Sequence, residues 1–248
     1  MTVIYVLWLR QLKRYFRSKA RIIGSLGQPL IFLLAFGFGF GSIFQKASGK
    51  NYLDFLVPGI ICMGILFTAV FTGLEIIWDR QFGFLKETLI APISRFQIMI
   101  GRTLGGATIS LFQGLLVLGI SYLVGFRITH WETFPLALLF MILIALLFTS
   151  LGTAIASQLE DMQGFQLIMN FLIMPIFFFS GALFPPTGIP KPLEFLMRLN
   201  PLSYGVDGLR TSLGVISYFS IESDLLILGS TTLLLLVIGT YLFSKIQI

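Results

Sequence analysis

The chain has 248 residues, 56% of them hydrophobic and 11% charged, with a formal net charge of +6 and a mean hydropathy of +0.92. A water-facing domain carries about 25% charged residues, so these totals exclude an ordinary soluble enzyme. The basic residues sit beside apolar runs, which directs the positive charge towards anionic lipid headgroups and away from nucleic acid.

Residues 3–18 read as an amphipathic helix. Ile4, Trp8, Leu12, Tyr15 and Phe16 share one stripe, and Arg10, Lys13, Arg14 and Arg17 another. Such a helix lies in the membrane interface, either as an anchor that sets topology or as a platform for a cytoplasmic partner. Six uncharged gaps follow. Each can supply the 20 or so apolar residues that cross about 30 Å of hydrocarbon. They predict spans at 22–44, 55–77, 101–125, 134–157, 165–184 and 225–244. The expected fold class is therefore all-α, a single polytopic transmembrane domain over residues 1–248. The alternation of a membrane β-barrel is missing. The first gap is too long for a signal peptide and lacks its small-residue cleavage pattern. Pro175 is expected to kink the fifth span, and Pro185-Pro186 to end it.

Lys and Arg set the orientation. Six spans place both termini on one side, and that side holds eleven of the 17 Lys and Arg. Both termini are therefore expected in the cytoplasm, with the chain in the cell membrane.

Three segments do more than span. The loop Ile77–Arg95 mixes charge with Phe82, Phe84, Leu85, Leu89 and Ile90, more apolar side chains than a solvated loop needs. A short helix ending before Pro92 fits, with Ser94 capping the next helix. It is either a docking element for a soluble partner or a helix flat in the interface. Glu75 lies at the cytoplasmic end of a span within reach of Arg80, which suggests a structural or gating ion pair, or a transport role. The segment 177–214 is too polar to span and too apolar for an exposed loop. Two short re-entrant helices broken at Asn200-Pro201 fit it, and Asp207 and Arg210 can pair across three residues. Gly37, Gly39 and Gly41, with Gly101, Gly105 and Gly106, suit close helix contact.

Several chemistries have no residues to carry them. The form G-x-x-x-x-G-K-[ST] is absent, so no nucleotide is expected on this chain by that route. One Cys, Cys62, and one His, His130, make no compact zinc site. No cofactor is expected on the chain, and no chain of buried carboxylates for an ion-coupled carrier is apparent.

The order of an amphipathic N-terminal helix, six spans, "DRQFGFLKETLIAPISR" at Asp79–Arg95 and "LNPLSYGVDGLR" at Leu199–Arg210 resembles the membrane subunit of type 2 ATP-binding-cassette exporters. That family includes drug-resistance permeases, nodulation-factor exporters and polysaccharide exporters. The resemblance covers nearly the whole chain. Gln81, Phe84 and Lys86 depart from the family's "DRExGTLExL". The resemblance implies two permease copies with two separate ATPase subunits, which hold the ATP and Mg. It implies a coupling helix over 79–93, carried by Phe82, Phe84, Leu85, Lys86, Glu87, Leu89 and Ile90. It implies that the 3–18 helix lies beside the ATPase. It also implies that the 185–214 segment, with Pro185, Pro186, Asn200 and Pro201 at its turns, closes the outer mouth. The 26 Phe suit a hydrophobic or amphipathic cargo such as a drug, a lipid or a lipid-linked glycan, although most of them can equally face lipid. The competing readings are an ion-coupled carrier and a non-transporting membrane scaffold.

Overall fold

The computed structural model describes residues 2–48, 52–90, 92–185, 188–215 and 217–246. Among these residues helices joined by turns and loops make up the fold, with no strand. Helix α1 covers Thr2–Arg17, α2 Lys19–Ser48, α3 Tyr52–Gln81, α4 Phe84–Ile90, α5 Arg95–Val124 and α6 Phe134–Gln158. Then come α7 (Met162–Ile168), a π-helical turn (Met169–Ile173), α8 (Met174–Phe178), α9 (Lys191–Leu199), α10 (Pro201–Ser212) and α11 (Ile221–Ser244).

Local chemistry sets these boundaries. Ser94 caps α5 by accepting from the Gln97 amide at 3.3 Å, as expected. Gly125 ends α5 at φ +122°, a conformation that L side chains rarely adopt. Pro175 follows directly after the π turn. Its ring would crowd the carbonyl of residue 171 in a regular helix, and the wider turn relieves that contact.

Among the described residues, five helices are long and apolar enough to cross a bilayer: α2, α3, α5, α6 and α11. The fifth expected span differs. Its helix runs Met162–Phe178 and ends before 184. At about 1.5 Å per residue that is roughly 26 Å. The chain leaves the helix and turns at Phe179–Phe184, before Pro185. Pro185 is half-buried beyond that turn, and Pro186 lies outside the described residues.

Helix α3 forms the centre, with 89% of its apolar stretch buried, against 17% for α2 and α11. Its partners are α6, α5, α2 and α10. The closest approach is between α3 and α6. A Cβ on Gly73 would overlap the Gly152 carbonyl, and one on Gly152 would lie 2.6 Å from the Val70 oxygen. Of the glycines expected to pack, Gly37, Gly101, Gly105 and Gly106 do so, whereas Gly39 and Gly41 face open space.

Helix α1 packs along α5. It follows α5 in the same direction for three turns. Leu7 meets Gly101, Gln11 meets Gly105, and the Tyr15 hydroxyl donates to Gln113 Oε1 at 3.1 Å. The buried residues are Leu7, Gln11 and Tyr15, while Phe16 of the expected apolar stripe is exposed.

Candidate functional site: a buried arginine–carboxylate cluster and the α4 surface

The end of the bundle that holds α1 and α4 concentrates the charge. Glu75 and Asp79 are four residues apart, on one face of the last turns of α3. Their side chains are only 3% and 7% exposed. A buried carboxylate needs a charged partner, and here the partners come from three other helices. Arg102 of α5 donates to Asp79 at 2.5 Å, and Arg10 of α1 does so at 3.3 Å. Arg21 of α2 donates to Glu75 at 2.5 Å. Arg14 lies 3.5 Å from Asp79 and 3.9 Å from Glu75.

Arg80 was expected beside Glu75. It instead donates to the carbonyls of Ser157 and Leu159, at 3.0 and 2.8 Å. Those carbonyls lie at the end of α6, where helix oxygens lack partners and a cation is favoured. Lys13 and Arg17 are exposed and take no part in the cluster.

The cluster reaches α4. Residues 79–81 belong to α3, so the short helix is narrower than the expected 79–93. Leu85 is buried, Leu89 packs against the core, and the Arg10 guanidinium stacks 3.6 Å from the Phe84 ring centroid. These three residues hold α4 on the bundle. Phe82 and Ile90 point outwards, 83% and 78% exposed, with Lys86 and Glu87 exposed between them.

The other end of the bundle holds the second cluster. Asn200 accepts from the Leu202 amide and donates to the Ile176 carbonyl at 2.6 Å, so it caps α10 and ties it to α8. Pro201 opens α10 at a position where its missing N–H costs nothing. Asp207 and Arg210 approach to 4.0 Å. Each binds backbone more closely than it binds the other. Asp207 accepts from the Tyr218 and Phe219 amides at 2.9 and 2.8 Å, and Arg210 donates to the Gly181 carbonyl at 3.1 Å. Helix α10 is buried in the bundle, whereas Phe195, Leu196 and Leu199 of α9 are exposed.

Buried carboxylates are more numerous than the sequence suggested. Asp224 of α11 is also fully buried, and neither of its oxygens has a hydrogen-bond partner among the described residues.

Apolar helices of membrane length, with charge confined to their ends, define a multi-pass membrane protein. The family model "ABC-2 type transporter" matches residues 2–213, and the chain belongs to that family. It is 28% identical to the "Putative transport permease ycf38" of Cyanophora paradoxa, over 98% of this chain and 88% of that one. It is 27% identical to the "Inner membrane transport permease YadH" of Escherichia coli (strain K12), over 82% and 80% of the two chains. It is also 26% identical to the "Nodulation protein J" of Rhizobium leguminosarum bv. viciae, over 78% and 75%.

Proposed function

We infer that this chain is the permease subunit of an ATP-driven exporter, working as a homodimer with two copies of a separate ATPase. In this reading α7, the π turn and α8 complete a sixth crossing, and α1 and α4 face the cytoplasm with both termini. ATP and Mg belong to the partner. The cargo is hydrophobic or amphipathic and leaves the cytoplasm or the inner leaflet. The observation that carries the reading is the α4 surface. Two large apolar side chains, Phe82 in the turn before α4 and Ile90 at its end, stand exposed on either side of Lys86 and Glu87, and the helix between them is fixed to the bundle. Such a patch is suited to a protein partner. Arg10 bonds Asp79 and stacks on Phe84, so a push on α4 reaches α1, α3 and α5 together.

The test is co-purification and ATP turnover. Phe82→Ser with Ile90→Ser leaves thermal stability unchanged, because both side chains face outwards, and lowers ATP turnover of the assembled complex by about tenfold or more. Unchanged turnover overturns the role of α4. Asp224 is the one observation that favours an ion-coupled carrier. That reading requires uptake into sealed vesicles driven by an ion gradient with no ATPase present.

A further inference from the structure

A cavity of about 550 Å³ lies between α1, α2 and α3. That volume falls in the range of small-molecule sites. Its lining changes character along its length. Arg14, Ser18 and Arg21 line it beside Trp78, and Phe67 and Phe71 line it deeper in the bundle. Between Trp78 and Phe67, α3 rises through about 16 Å.

The charge facing this space is of one sign. Arg14 and Arg21 border the cavity, and neither Glu75 nor Asp79 does. The Arg14 and Arg21 side chains are 37% and 26% exposed, while the two carboxylates stay covered behind them. Arg10, Arg14, Arg21 and Arg102 surround only these two carboxylates, so the cluster keeps two positive charges in excess among the described residues. Arg14 is at ion-pair distance but makes no hydrogen bond to either carboxylate. Its Nη1 faces the two carboxylates and its guanidinium lies 5.4 Å from the Trp78 ring centroid, while its other donors make no hydrogen bond among the described residues and can turn to an oxyanion.

We propose that this cavity binds an amphiphile with a phosphate-type headgroup. The head lies on Arg14 and Arg21, and the apolar chain lies along Phe67 and Phe71. The binding site is argued from the cavity alone; only the further step, that its occupant is cargo, rests on the permease reading.

The test uses the full chain in phosphatidylcholine nanodiscs without any ATPase, so a failure of coupling and a failure of this site are read separately. Trp8→Phe with Trp131→Phe leaves Trp78, beside the cavity, as the only tryptophan. Brominated phosphatidic acid, mixed in at a low mole fraction, quenches Trp78 with an apparent affinity about fivefold or more above that of brominated phosphatidylcholine. Arg14→Gln removes the preference, and Arg14→Lys keeps part of it. Gly24 also lines the cavity, and a Cβ there meets nothing within 4 Å. Gly24→Leu therefore takes up part of the space without changing charge, and it abolishes the preference for phosphatidic acid while the helical fold is kept. Equal quenching by the two lipids overturns the proposal, as does a preference that survives Gly24→Leu. Displacement of the lipid by inorganic phosphate alone assigns the arginines to a free anion and also overturns it. Absence of quenching by either lipid also overturns it and gives the space to another occupant, such as a second copy of the chain.

Discussion

Asp79→Asn tests whether the buried cluster holds four helices together. The substitution keeps the shape of the side chain and removes its charge. Arg102, 4% exposed and 2.5 Å away, then loses its carboxylate partner. Breaking one side of a buried pair costs about 3–5 kcal/mol, because the remaining charge stays buried without compensation. Arg10 and Arg14 also approach Asp79, but they are 35% and 37% exposed, and water screens their loss. The expected cost therefore sits at the low end, about 3 kcal/mol, or roughly a hundredfold in the folding equilibrium. Removing Arg102 as well, as Asp79→Asn with Arg102→Gln, takes away the stranded charge. The double variant then recovers about 2 kcal/mol relative to the sum of the single ones. The assay is equilibrium unfolding in mixed micelles, followed by helical circular dichroism, for the four chains of this cycle. Single variants that each lose little, or losses that add to within about 0.5 kcal/mol, would refute the reasoning.

Two further outcomes follow from backbone contacts. Gly73→Ala drives a methyl group into the Gly152 carbonyl and costs about 1–3 kcal/mol in the same assay, while Gly39→Ala, which faces open space, changes little. Asn200→Ala removes the α10 cap and leaves the Ile176 carbonyl without its donor, for a loss of about 1–3 kcal/mol. Hydrogen exchange should show that loss as faster exchange in α10 than in α6, and uniform exchange across both helices would count against it.

The long spans were legible because a bilayer demands unbroken apolar length, and the gaps between charges measure that length directly. The α4 helix was legible too, since apolar residues crowded into a charged loop need a reason. The charge cluster was not. Sequence proximity pointed from Glu75 to Arg80, but on a helix of 3.6 residues per turn a side chain five positions away sits on another face. Arg80 turns to α6 instead. The true partners of Glu75 and Asp79 lie in α1, α2 and α5, 23 to 69 positions away, and no local period encodes that meeting. One signal was available: Glu75 and Asp79 lie four apart at the end of a long apolar stretch near several arginines. The same limit applies to Asp207. Its close partners are two backbone amides eleven and twelve residues on, supplied by a loop whose path residue types do not reveal.

The π turn at Met169–Ile173 carries a consequence for inheritance by insertion and deletion. A turn of this kind contains one residue more than a regular helix would use, so it offsets everything beyond it by about 100° around the axis. Phe171 faces outwards while Phe177 is fully enclosed, and that division depends on the offset. Losing a single codon there would bring the Pro175 ring back against the carbonyl four residues before it, and it would rotate Phe177 out of the interior.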